Sequence, residues 1–112
     1  MKSKSIFSIP NHDFSKSEFF ETLIDSKNIK IERIVSKGNS DSPDFWYNQQ
    51  QDEWVILIQG TAKIAFENEE TISIVAGEHL FIPKFKKHKI VETSTQPECI
   101  WIGVHADFDK II

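Results

Sequence analysis

The amino-acid sequence predicts an all-β domain, an antiparallel sandwich or closed barrel with one peripheral helix, and three observations carry that expectation. Apolar residues recur with a period of two from Asn28 onward, turn residues interrupt the pattern at short intervals, and a single N-terminal stretch has helical spacing. At 112 residues the chain is sized for one domain with one core. The expected organisation is a single domain over 1–112, with an N-terminal arm and helix over 1–27 and a β-barrel over 28–106.

The helix is expected from "FSKSEFFETLID", Phe14 to Asp25. Ser15 and Glu18 have capping-box spacing, Phe14 and Phe19 occupy the staple positions, and Phe19, Phe20, Leu23 and Ile24 form one apolar stripe. That reading places a helix from about Lys16 to Asp25.

The strands follow in order. "NIKIERIV" alternates Ile29 and Ile31 with Lys30 and Glu32; "TAKIAFEN" alternates Ala62, Ile64 and Phe66 with Lys63 and Glu67; "ETISIV" puts Ile72 and Ile74 on one face. "EWVILIQ", "HLFIP", "HKIVET" and "CIWIGVH" complete a set of at least seven strands. Gly38 to Pro43, Gly60, Asn68, Gly77, Pro83 and the "TSTQP" ending at Pro97 mark the turns between them. Trp54–Ile58 and Cys99–Val104 are apolar on both faces, so each needs cover on both sides. The interior supplies one cover; the helix, the segment "SIFSIP" or a second copy of the chain supplies the other, and a homodimer is expected on that ground.

Composition narrows the functional classes. Hydrophobic residues make up 39% and charged residues 27%, values of an ordinary folded domain. The net charge of −4 and the single basic cluster Lys84, Lys86, Lys87 and Lys89 argue against nucleic acid as a partner. No apolar run approaches the ~18 residues that cross a bilayer, so no membrane partner is expected. One cysteine, Cys99, excludes an internal disulfide and fits a reducing, cytoplasmic location. No nucleophile elbow or phosphate loop is present.

Candidate chemistry concentrates in "FWYNQQQDEWVILIQG" and "GEHLFIPKFKKH". Six residues separate Glu53 from Gly60 and five separate Gly77 from Pro83, and His88 lies five positions after Pro83. These spacings resemble the two sequence motifs of the cupin superfamily, and the resemblance runs from Gly38 to about His105, as in small single-domain members of microbial type. The resemblance implies a jelly-roll-like double-stranded β-barrel, often dimeric, with a cavity at one end. In metal-binding cupins a His-x-His pair, a Glu and a later His hold one ion, which implies Fe(II), Mn(II), Ni(II), Cu(II) or Zn(II) as a cofactor. Glu53 and His88 match that pattern. The His-x-His positions fall on Trp46 and Asn48, or with the shorter gap on Tyr47 and Gln49, and neither choice supplies an imidazole. Phe85 occupies a position where the family pattern has Gly.

Three readings of Glu53 and His88 therefore stay open. They form a buried structural pair; or they hold a metal with help from Asn48, Gln49, Gln51 or water; or they bind an organic small molecule directly, His88 as donor and Glu53 as base or acceptor. Trp46 and Tyr47 are the candidate pocket aromatics, with Asn48, Gln49 and Gln51 orienting a ligand, whereas Trp54, Phe81 and Trp101 are expected in the core. The expected role is a small-molecule-binding cupin, the alternative a metal-dependent oxygenase, isomerase or lyase with an unusual ligand set, and catalysis itself is left open. Whether His79 or His105 joins the site is not decided by strand parity, because bulges shift it.

Overall fold

The computed structural model describes residues 1–112 and contains eight strands and no α-helix. They are β1 (Phe19–Asp25), β2 (Ile29–Ser36), β3 (Asp52–Gln59), β4 (Thr61–Phe66), β5 (Ile72–Val75), β6 (His79–Ile82), β7 (His88–Thr93) and β8 (Cys99–Ala106). A five-stranded sheet in the order β1-β2-β8-β3-β6 faces a three-stranded sheet in the order β5-β4-β7, and all pairings are antiparallel. The all-β expectation holds. The strands make two facing sheets and not one continuous closed ladder.

The expected N-terminal helix is corrected: most of its span is β1. Residues 14–16 form a turn, and from Phe19 the chain pairs with β2, Phe19 opposite Val35 and Asp25 opposite Lys30. The alternative partners explain the outcome. A helix of about ten residues is marginal by itself in water, whereas the open edge of β2 offers a full ladder of backbone bonds. The supposed capping residues are used elsewhere: the Ser15 hydroxyl donates to Asp13 Oδ1, and Glu18 turns toward the interior, where it accepts from Ser36 Oγ at 3.0 Å.

Period-two geometry sorts the inward residues. Leu57 of β3, Ile64 of β4, Ile74 of β5, Ile82 of β6 and Cys99 and Trp101 of β8 are buried together between the sheets. Gly60 joins β3 to β4 at a φ of +89°, a left-handed conformation that a side chain disfavours, and a Cβ there would collide with the Ser94 hydroxyl. The motif glycine is thus explained by turn geometry and close approach.

Trp54–Ile58 and Cys99–Val104 lie on adjacent central strands, β3 and β8. Their inward residues fill the core; outward, Trp54, Ile56, Ile102 and Val104 are only half-buried. The arm covers a different part of that face: Arg33, 5% exposed, donates from Nη1 to the carbonyls of Ile6 and Ser8 and from Nε to Glu21 Oε1 at 2.8 Å. No helix is long and apolar enough to cross a membrane.

Candidate functional site

Four strands and one loop bring the site together. Glu53 opens the inward row of β3, directly opposite His105 of β8. On the other flank of β8, Glu32 of β2 lies opposite Gly103. Cross-strand neighbours on one face lie close enough for side chains to meet, and here they do: His105 Nε2 is 2.9 Å from Glu32 Oε1 and 3.6 Å from Glu53 Oε2. His88 begins β7 in the facing sheet, and its Nε2 is 3.9 Å from Glu53 Oε1. Residues 53 and 88, remote in sequence, face one another across the interior.

Gly103 makes room for this convergence. A Cβ at that position would stand 2.7 Å from Glu53 Oε2 and 3.7 Å from His105 Nε2. Its backbone lies in an ordinary strand, so the need for glycine is steric. Glu32 and Gly103 were not singled out from the sequence. Lys30 and Glu32 read there as the polar face of β2, yet Glu32 points inward with Ile34, while Arg33 and Val35 are covered on the other side. The legible signal was Glu32 two residues before Ile34, a carboxylate in an otherwise inward row.

The loop before β3 supplies the remaining wall. Tyr47 pairs with His88 through reciprocal backbone bonds of 2.8 and 3.1 Å, and the two rings stack with centroids 5.4 Å apart. Tyr47 and Gln49 line the cavity; between the two possible gaps for the motif pair, the chain turns this one inward. Trp46 lies under the Lys89 ammonium, 4.4 Å from its ring centroid, and Asn48 is exposed. Gln51 donates to the Asn28 carbonyl at 3.3 Å, fastening the loop at the rim. Phe85 adopts a φ of +65°, so this position keeps the left-handed turn that the family pattern gives to Gly, and its amide donates to the Gln49 carbonyl at 2.8 Å. His105 joins the site. His79 does not, since it accepts from Trp54 Nε1 at 3.0 Å on the outer face.

Hydrogen bonding fixes the tautomer of His88. Nδ1 lies 2.9 Å from the Lys86 carbonyl, which can only accept, so Nδ1 carries the proton and Nε2 offers a lone pair to the cavity. Burial lowers the His88 pKa below its usual value, reinforcing the neutral form. Burial also raises the Glu53 carboxyl, with Glu32 adding to the effect and His105 and Gln49 opposing it. The His105–Glu32 pair behaves oppositely: the hydrogen bond between them raises His105 and lowers Glu32, favouring an ion pair. Glu18 is raised by burial, and Tyr47, whose hydroxyl lies 3.5 Å from Glu18 Oε1, is pushed far above the usual phenol range.

The cavity between these groups is about 60 Å³. By the ~10–15 Å³ that one water needs, it holds roughly four to six waters. Glu18, Glu32 and Glu53 line it, and no Lys or Arg does. The family's four-donor metal centre does not fit: the positions of its imidazole pair hold a neutral phenol and an amide, both weak transition-metal ligands. A different group, Glu32, Glu53 and His105, has one donor atom each within 4.8 Å of the others and could hold an ion.

No family model and no curated protein matches the chain. Solved structures do. A protein from Ralstonia eutropha, a candidate mannose-6-phosphate isomerase, has a TM-score of 0.87 and 33% identity, covering 96% of this chain and 100% of that one. A cupin superfamily protein from Desulfitobacterium hafniense gives a TM-score of 0.72 at 20% identity, over 89% of this chain and 84% of that one. A cupin family protein with a double-stranded β-helix fold from Methanocaldococcus jannaschii gives 0.68 at 16% identity, over 96% and 94% of the two chains. The last two establish the fold alone.

Proposed function

We propose, on the premise that the chain has the cupin fold, that it binds a small, neutral, hydroxyl-bearing molecule between Glu53 and His88. The observation that carries the reading is the 3.9 Å gap between His88 Nε2 and Glu53 Oε1, one side a lone pair and the other a carboxyl whose pKa burial raises. A ligand hydroxyl there donates to His88 Nε2, and a second polar hydrogen or oxygen of the ligand meets the Glu53 carboxyl in whichever protonation state it holds. The proton role of His88 is the reverse of that expected from sequence, because the Lys86 carbonyl has claimed the Nδ1 proton.

A hexose phosphate, the kind of substrate named for the Ralstonia eutropha protein, is disfavoured here. The cavity is small and its charged side chains are carboxylates, which repel a phosphate dianion. Small hydroxy-carbonyl compounds and polyols match the space better.

The test is an NMR titration of isotopically labelled protein with glycolaldehyde, dihydroxyacetone and glycerol, in EDTA. The expected result is a saturable shift of the His88 Nε2 resonance with at least one compound, abolished in Glu53→Leu, which removes the polar partner across the gap. An unmoved resonance at tens of millimolar of all three would overturn the reading.

The half-buried outer face of β3 and β8 supports a homodimer formed through Trp54, Ile56, Ile102 and Val104. Light scattering should give twice the 13.0 kDa chain mass, and Ile102→Glu should halve it; a monomeric wild-type chain contradicts this.

A further inference from the structure

We propose that Phe20 sets the size of the ligand: its ring closes a seam in the side wall of the cavity and restricts the site to a short open-chain polyol or hydroxy-carbonyl compound. The inference rests on the hydroxyl-binding reading above and adds to it the residue that selects among such ligands. The seam follows from topology. β1 ends the five-stranded sheet and β7 ends the three-stranded one, so on this flank each sheet presents a strand edge. The loop over 39–47 takes the β7 edge. Asp41 donates its amide to the Ile90 carbonyl at 2.8 Å and accepts from the Ile90 amide through Oδ2 at 2.7 Å, and Tyr47 exchanges two backbone bonds with His88. No backbone hydrogen bond joins that loop to β1. Side chains span the gap instead: Tyr47 Oη stands 3.5 Å from Glu18 Oε1, and Asn39 Nδ2 donates to the Phe14 carbonyl at 2.9 Å.

Phe20 fills the opening that is left. It lies opposite Ile34 of β2, which lines the cavity, and so shares the inward row. It borders the cavity of about 60 Å³ and also both of the larger grooves beside it, each of about 620 Å³. At the boundary with one groove it stands with Glu18 and Ile90, and at the boundary with the other with Glu32 and Gln49. The ring is 51% exposed, so it covers the cavity with one face and meets solvent with the other. A ring so placed on an edge strand changes rotamer readily, and turning outward it opens the seam for entry.

The chemistry on either side of the ring tells what it excludes. The cavity holds a molecule the size of glycerol or dihydroxyacetone, and the closed ring gives a longer chain no exit. Without the ring, the cavity would run into grooves walled by hydroxyls and amides, Ser17, Asn39 and Ser40 in one and Thr22, Gln50 and Gln51 in the other. Those groups can hydrogen-bond the successive hydroxyls of a longer polyol. An aromatic wall between two polar spaces therefore works by rejecting the longer competitor, which is specificity by steric exclusion.

The experiment compares the full wild-type chain with Phe20→Ala, Phe20→Leu and Leu23→Ala, all in EDTA. Glycerol, erythritol, xylitol and sorbitol are titrated while the His88 Nε2 resonance is followed. Wild type should favour glycerol and weaken along the series. Phe20→Ala should shift the affinity ratio of xylitol to glycerol by about 10-fold or more toward xylitol, and Phe20→Leu by less. Leu23, exposed on the same strand but away from the cavity, serves as the control and should shift nothing. Thermal melts confirm that each variant is folded. A second readout needs no ligand. A neutral soluble nitroxide should relax the methyls of Ile64 and Ile82, which line the cavity, more strongly in Phe20→Ala than in wild type, with the buried Ile74 as reference. Unchanged relaxation in folded Phe20→Ala, or an unchanged polyol preference there, overturns the proposal. If no polyol moves His88 in any of these proteins, the hydroxyl-binding reading falls together with the length selection built on it, while stronger relaxation in Phe20→Ala still establishes that the ring closes the cavity.

Discussion

Glu53 and Leu57 lie on the same face of the same strand, four residues apart, and occupy opposite chemistries. Leu57 is wholly buried with Ile64, Ile74, Cys99 and Trp101; Glu53 is nearly as buried but faces Glu32, His88 and His105. β8 repeats the contrast, running from Cys99 and Trp101 at the closed end to Gly103 and His105 at the mouth. Because one wall carries both ends, the packing that fixes the apolar half also positions the polar half. The mouth has little apolar burial of its own and depends on the closed end for its geometry.

The strongest challenge to that dependence is Leu57→Ala. The side chain is fully buried, so removing it should destabilise the fold by roughly 2–5 kcal/mol, measured by urea unfolding. The His105 and His88 resonances should be lost in the same transition. If the mouth histidines instead report a separate, earlier transition, the two ends are not one cooperative unit.

Next in size is Glu32→Gln, which breaks the ion pair at the mouth and leaves the closed end untouched. A lost hydrogen bond to a charged, largely buried group costs about 1–3 kcal/mol. The sign of its pH dependence follows from the two shifts. His105 is raised above 6.5, so its contribution is complete below that pH and fades as pH rises through the raised value; Glu32 is lowered beneath 4.5, so its contribution is complete above that pH and fades in acid. The variant's deficit should therefore be largest between about pH 4.5 and 6.5 and shrink on either side. A deficit independent of pH would show that Glu32 is held by packing alone.

The closed end was legible in the sequence and the mouth only partly so, for a physical reason. Alternation in "TAKIAFEN" and "ETISIV" picks out Ala62, Ile64, Phe66 and Ile74 because one face of those strands meets solvent. In β2 the alternation of Ile29 and Ile31 with Lys30 and Glu32 suggests that the isoleucines face inward, but Ile29 is exposed and Glu32 shares the inward row with Ile34, so only that later apolar neighbour marked its face. Glu53 and His88 were found by motif spacing, and the register places them across the cavity. His105 and Gly103 needed the register of β8 against β3 and β2, which no local pattern encodes. The helix expected over Lys16–Asp25 failed because Phe19, Phe20, Leu23 and Ile24 satisfy helical spacing as well as a strand edge does, and the free edge of β2 decided the outcome.

Glu53→Gln sharpens the same comparison with the opposite sign. Burial raises the Glu53 carboxyl above its usual 4.5, so the fold favours the protonated form and loses stability as pH rises through the raised value. In EDTA the amide variant should match wild type in acid and become the more stable chain above about pH 4.5, by at most ~1.4 kcal/mol per pH unit. Melting temperatures across pH 4 to 8 measure it. A variant less stable than wild type at neutral pH would mean that Glu53 is already compensated, and the mouth would then resemble a finished structural network more than a binding site.

The smallest effect separates burial from geometry. Lys63 and Glu92 pair at 3.1 Å across β4 and β7, nearly as close as His105 and Glu32 at 2.9 Å, but their side chains are 52% and 61% exposed against 13% and 11%. Water and salt screen the first pair, so Lys63→Ala should cost no more than about 0.5 kcal/mol, and 0.5 M NaCl should erase the difference. The mouth pair should keep most of its contribution in the same salt, because a largely buried pair is screened much less than an exposed one. Equal salt sensitivity of the two pairs would mean that the mouth is open to bulk solvent, and neither a neutral ligand nor a cation would then gain from being held there.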